Sequence, residues 1–235
     1  GVESIMLGGF VDPQVRLSKG NKFPVIYGTG FLRNKNGDIV VNDQGLPMVG
    51  ENRVLGNVAP DFRMGFNTTL ELFKFRLSAV FDWKQGGCMY AGTAYMLDYY
   101  GVSQRSADFR NKKDFIFERP AVKKLADGSY APNDIKIKGE NAFNYFKSLS
   151  NISEAGVYKS SFLKLRELSL SYPVYNKPYL SVTANVFLRN VLLWSEMDNG
   201  IDPESTQGNN NMAGAFERFS LPGSRSYGFG LSVKF

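Results

Sequence analysis

Strict two-residue alternation is the feature that most limits what this chain can fold into. From Phe62 to Leu72, one parity holds Phe62, Met64, Phe66, Thr68, Leu70 and Leu72, and the other holds Arg63, Gly65, Asn67, Thr69 and Glu71. Successive side chains of a strand point to opposite faces, so this run reads as a strand with one apolar and one polar face. A tight turn at Phe73-Lys74 leads into a second run. There Phe75, Leu77, Ala79, Phe81 and Trp83 oppose Arg76, Ser78, Val80, Asp82 and Lys84. Together these predict a hairpin over residues 62–84 with matching faces.

A second hairpin is predicted over residues 162–189. Leu168, Leu170 and Tyr172 oppose Glu167, Ser169 and Ser171, but Leu163 and Leu165 sit on the other parity. That slip near Arg166 predicts a β-bulge, or a strand rising above the apolar zone. A Pro-bounded turn at 173–178 then leads to Leu180, Val182, Ala184, Val186 and Leu188, which oppose Ser181, Thr183, Asn185, Phe187 and Arg189. In the last segment, 224–235, Tyr227, Phe229, Leu231, Val233 and Phe235 alternate with Ser226, Gly228, Gly230, Ser232 and Lys234.

The rest of the chain alternates little. Residues 1–60 read as loop with short strands at 23–32 and 38–42. Asn36-Gly37 and Asp43-Gln44-Gly45 supply turn chemistry around the second of these. Residues 85–161 and 190–223 read as long loops, the first with short helices near 91–100 and 140–150. Connections therefore run short, long, short, long, which puts both short turns at one end of a sheet. Outer-membrane barrels have this asymmetry, with short periplasmic turns and long extracellular loops. A soluble β-sandwich also alternates, but its strands follow one another every 8–12 residues or so.

Aromatic residues make up 14% of the 235 positions, and the threading sorts them. Trp83, Trp194 and Tyr227 fall at the long-loop end. Phe73, Phe75, Tyr172, Tyr175, Tyr179 and Phe235 fall at the short-turn end. Two such belts are what a membrane interface favours.

Composition narrows the chemistry. One cysteine excludes an internal disulfide and any multi-thiolate metal site, and the absence of His removes the commonest metal ligand and general base. No nucleophile elbow, phosphate-cradling loop or triad occurs, so no catalytic, metal or cofactor-binding residues are expected and the chain reads as a non-enzyme. A polysaccharide-cleaving enzyme would need paired carboxylates at one cleft. Glu71 and Asp82 share the polar face, but nothing in the sequence brings them together. The acidic cluster at 198–204 (DNGIDPE) reads as a Pro-containing turn or, against the EF-hand pattern, a calcium site. Cys88 has no neighbouring His or helix N-terminus to activate it and reads as a passive loop or strand-end residue. The net charge of +6 is dispersed among acidic residues, so nucleic acid is not an expected partner. No apolar run reaches the roughly 18 residues of a membrane helix. Residues 1–10 lack the basic and apolar regions of a signal peptide.

Several phrases, in order, resemble one family. They are 57–67 (NVAPDFRMGFN), 81–93 (FDWKQGGCMYAGT), 161–172 (SFLKLRELSLSY), 185–194 with the downstream GIDPE, and 222–235, preceded by the 23–30 segment and Asn36-Gly37. The chain is similar over nearly its whole length to the C-terminal third of SusC/RagA-type TonB-linked outer-membrane proteins. Cys88 departs from it, standing where the family often has a polar or acidic residue.

The resemblance implies an all-β fold made of the C-terminal strands of a large antiparallel transmembrane β-barrel with long extracellular loops. It implies a fragment, because five spanning strands cannot close a barrel and such transporters use roughly 22. The signal peptide, TonB-contacting segment, plug and earlier strands of the family are expected elsewhere. By the same resemblance the whole protein imports a glycan, peptide or other oligomeric nutrient through the cell outer membrane. A SusD-like surface lipoprotein would lid it, and a TonB complex would energise it. The terminal strand, with Tyr227, Phe229, Leu231, Val233 and Phe235, resembles the outer-membrane assembly signal. On the polar parity, Arg63, Glu71, Arg76, Asp82, Lys84, Glu167, Arg189 and Lys234 would face the lumen. Tyr90, Tyr95, Tyr99 and Tyr100 would stack on sugars, pack under a partner or pack within the loop. The competing reading is a soluble all-β carbohydrate-binding or adhesin module.

Overall fold

A computed structural model of the chain describes residues 2–207 and 214–235. Gly1 and positions 208–213, inside the second predicted loop, lie outside the described residues.

The first sixty residues contain more strand than their sequence suggests. Strands β1 (Ser4–Gly9), β2 (Gln14–Ser18), β3 (Val25–Phe31) and β4 (Val49–Asn57) pair in that order. The sequence predicts loop for three of these four. Their pairings are broken by register shifts at Met6/Gly8, Ile26/Tyr27 and Thr29/Phe31, which erase the two-residue period.

A second sheet carries the alternating segments. Strands β5 (Phe62–Leu72), β6 (Phe75–Gln85), β7 (Phe162–Lys177), β8 (Leu180–Ser195) and β9 (Ser226–Lys234) lie in the order β9-β8-β7-β6-β5. Every neighbouring pair is antiparallel. The chain is thus all-β in its frame, and the sheet is open at both β5 and β9, like a section of barrel wall.

The slip at Arg166 is a bulge, and its effect is to keep the apolar face continuous. Leu165 pairs with both Phe81 and Leu192, while Leu168 pairs with both Ala79 and Leu188. The same step along the sheet therefore takes two residues on β6, three on β7 and four on β8. Leu163, Leu165, Leu168, Leu170 and Tyr172 all stay on one face although their parity changes. On β8 the extra length is absorbed at Asn190, whose backbone is left-handed at φ +51°.

Two boundaries differ from the predicted ones. The turn joining β7 to β8 is Pro178-Tyr179, not 173–178, because residues 173–177 continue the strand. A second bulge between Pro173 and Tyr175 accommodates a residue that cannot donate to the ladder. β8 also runs six residues past Arg189 to Ser195, so Trp194 is a strand residue.

The apolar face is bare. Phe66, Leu70, Phe229 and Leu231 are each 58–66% exposed, among many neighbours like them. A water-soluble monomer keeps its contiguous exposed apolar patches small. Eleven residues at about 3.3 Å each, tilted roughly 45°, span about 25 Å, the height of an outer-membrane barrel's apolar band. At one end Trp83 packs edge-on against Phe62 at 5.0 Å, and Leu163 lies between Trp83 and Trp194 in the ladder. At the other, Phe75 meets Tyr172 at 4.7 Å and the Tyr175 and Tyr179 hydroxyls are 3.0 Å apart.

The residues between β6 and β7 fold into a cap at the long-connection end. It holds α1 (Gly92–Tyr99), α2 (Gln104–Asn111) and α3 (Ala142–Leu149) with short strands between them. The α1 and α3 segments match the predicted helices; α2 is unannounced. Phe109, Phe115, Phe117, Tyr145 and Phe146 form its core together with Phe31, Ile39 and Val41. Phe109 stacks on Tyr145 at 5.5 Å. A second cluster joins Val15, Ile26, Val58 and Tyr90 to Ala215 and Phe216, so the second long connection is part of the same cap.

Candidate functional site

The polar face of the wall carries one dense group of charges where the cap meets β5, β6 and β7. Alternation puts Arg63, Asp82 and Lys164 on that face, and the bulge adds Arg166. Arg63 donates to both Asp82 oxygens at 3.2 and 2.8 Å, and Arg166 Nη2 donates to Asp82 Oδ2 at 2.5 Å. The acidic segment after β8 closes the cluster. Lys164 Nζ donates to both Asp202 oxygens at 2.8 Å and to Glu204 Oε2 at 2.7 Å. Glu204 Oε1 accepts from Arg166 at 2.7 Å and from Arg63 at 2.8 Å.

Burial makes these contacts count. The Lys164 side chain is 8% exposed and those of Asp202 and Glu204 are 19% and 26% exposed. Desolvation pushes the Glu204 carboxyl up, yet the Arg166 and Lys164 hydrogen bonds outweigh it and hold the group below the ordinary Glu value. Asp202 and Glu204 are therefore counter-ions of the wall. The Ser205 N–H also donates to the Asp202 carbonyl at 2.9 Å, making 202–205 a turn. Beside the cluster lies an open cavity of about 600 Å³ reached by Lys164, Arg166, Asp202, Glu204 and Arg218.

Other polar-face residues pair locally. Glu71 meets Arg76 at 3.5 Å and Glu167 meets Arg189 at 3.4 Å. Lys84 Nζ donates to Ser160 Oγ at 2.9 Å. Glu71 pairs with Arg76 while Asp82 is held by Arg63 and Arg166, so no acid pair of the kind glycoside cleavage needs is formed by them. The terminal-strand residues Tyr227, Phe229, Leu231 and Val233 share the apolar face, opposite Leu188, Val186, Ala184 and Val182.

In the cap, Glu154 is the second ionic junction. It accepts from Phe31 N–H at 2.9 Å and from Arg33 and Arg53, each at 2.7 Å. Of the four loop tyrosines, Tyr90 is buried and Tyr95 donates its hydroxyl to the Leu149 carbonyl at 2.8 Å. Burial pushes both phenols well above the ordinary range. Tyr99 and Tyr100 pack edge-to-face at 4.9 Å. Cys88 sits against Gly56, and burial pushes its thiol up, away from reactivity.

No protein-family model matches the sequence, and no curated protein matches it. Solved structures do. The RagAB peptide transporter superposes with a TM-score of 0.58 at 14% identity, over 99% of this chain and 24% of that one. The RagAB peptide importer in its 'closed-closed' state gives 0.57 at 15% identity, covering 99% and 25%. Its 'open-open' state gives 0.56 at 15%, covering 100% and 24%. This chain thus has the fold of a section of those transporter chains and spans about a quarter of their length.

Proposed function

We propose that this chain is the C-terminal barrel portion of a SusC/RagA-type TonB-dependent transporter in a Gram-negative outer membrane. The observation that carries the reading is the β5–β9 sheet, with its bare apolar face, paired aromatic belts, short turns at one end and folded cap at the other. In a bilayer that face contacts lipid and the ionic cluster faces the lumen. The whole protein imports an oligomeric nutrient, a glycan or peptide. A SusD-like surface lipoprotein sits over the cap, and a TonB complex acts through a region outside this chain. The terminal strand, Tyr227 to Phe235, serves as the assembly signal.

The test uses the intact protein in its own cells. It is expected in the outer-membrane fraction, soluble only in detergent, co-purifying with a surface lipoprotein and required for uptake of an oligomer. Recovery of the intact protein as a monomer in detergent-free buffer would instead favour the soluble carbohydrate-binding or adhesin reading.

A further inference from the structure

We propose that Arg63, Lys164 and Arg166 form a carboxylate-binding site on the wall that Asp202 and Glu204 fill, so that the turn at 202–207 lifts only in exchange for a carboxylate-bearing ligand. The inference rests on the transporter reading, in which this face lines the lumen.

Charge balance is the first argument. The wall supplies three cations and one anion, Asp82, to this spot; the connection supplies the other two anions. Lifting the turn would leave two positive charges uncompensated. Lys164 would suffer most, because all three of its charge-assisted bonds go to Asp202 and Glu204 and its side chain is nearly enclosed. Stranding one member of a buried ion pair is far costlier than exchanging its partner.

Access is the second. The open cavity of about 600 Å³ is lined by Lys164, Arg166 and Arg218, so an entering anion comes up beside these cations before the turn moves. The third is that the displaced segment is self-contained. Ser205 N–H donates to Asp202 O and Thr206 N–H to Glu204 O, both at 2.9 Å, so the turn can swing as a unit. Among the described residues its attachments beyond the charges include the Gln207 N–H to Phe216 O bond at 2.8 Å and the Ser205 Oγ–H to Leu221 O bond at 3.4 Å. A ligand with two carboxylates, such as a dicarboxylate or an acidic peptide, matches the pair it replaces.

Hydrogen exchange at the Gln207 amide, whose bond to the Phe216 carbonyl breaks when the turn lifts, tests this in the intact, detergent-solubilised protein, with glutarate as probe. Exchange should be several-fold faster in sodium glutarate than in sodium chloride of equal ionic strength, with α3 unchanged. In the Asp202→Asn/Glu204→Gln variant it should be fast in both salts. Equal protection of the native protein in both salts overturns the proposal, as does a variant that keeps native protection. If the double variant also loses α3 protection, Glu204→Gln alone is read at the same amide, where native protection overturns it. Uptake is measured separately. Intact uptake without a glutarate response sinks this inference alone, whereas absent uptake with a response sinks the transporter reading.

Discussion

Lys164 and Asp202 meet twice, the ammonium donating at 2.8 Å to each carboxylate oxygen across 38 residues of sequence. The contact ties the middle of the wall to the connection that follows β8. Replacing Lys164 by Met leaves two partly buried carboxylates short of a cation and should cost about 3 kcal/mol. The readout is the temperature at which the intact barrel loses its compact gel mobility. Lys164→Arg should retain most of that stability, and an unchanged Lys164→Met variant would deny the clasp.

Glu154 makes the cap sensitive to acid. Burial pushes its carboxyl up, but the Phe31 N–H and then Arg33 and Arg53 outweigh this, so the native value lies below the ordinary 4.5. A depressed native value means stability present above about pH 4.5 and lost as pH falls through the native value. Exchange at the Phe31 amide should therefore accelerate on acidification below that point. Glu154→Gln should lower cap stability by about 2 kcal/mol at neutral pH and flatten the acid response.

Gly139 is a packing requirement of the cap. A Cβ there would lie 2.0 Å from the Lys112 carbonyl oxygen and 2.8 Å from that of Arg110, both backbone atoms that cannot swing aside. Gly139→Ala should destabilise the cap by about 2–3 kcal/mol, measured by exchange across α2 and α3. Gly65→Ala, whose Cβ meets its nearest neighbour at 4.0 Å, is the control and should be silent.

The terminal strand is expected to guide assembly. Phe229→Ser with Phe235→Ser in the intact protein should lower its outer-membrane abundance while leaving synthesis unchanged. Equal abundance, measured in membrane fractions, would deny the signal.

The wall was legible in the sequence because a two-residue period needs no knowledge of partners. Phe62–Leu72 alternates from end to end, and even the parity slip at Arg166 announced its bulge. The extension of β8 was not legible, since Asn190 in a left-handed conformation reads as a break. Helix α2 was missed because only Ser106 and Phe109 are buried along it, leaving no apolar stripe. The ionic cluster had a local trace only. Asp202 and Glu204 stood out as an acidic turn, but their partners Arg63, Lys164 and Arg166 lie on two strands of another part of the chain. Pairing of that kind depends on register, which the bulge sets and the sequence leaves open.

The central claim is that one face of this sheet meets lipid. Spin labels placed singly at positions 163–172 of the intact protein in bilayers test it most directly, by comparing access of oxygen with access of a water-soluble nickel reagent. The account predicts oxygen-rich sites at Leu163, Leu168, Leu170 and Tyr172, nickel-accessible sites at Glu167, Ser169 and Ser171, and one phase slip at Arg166. Equal nickel access on both faces would contradict it.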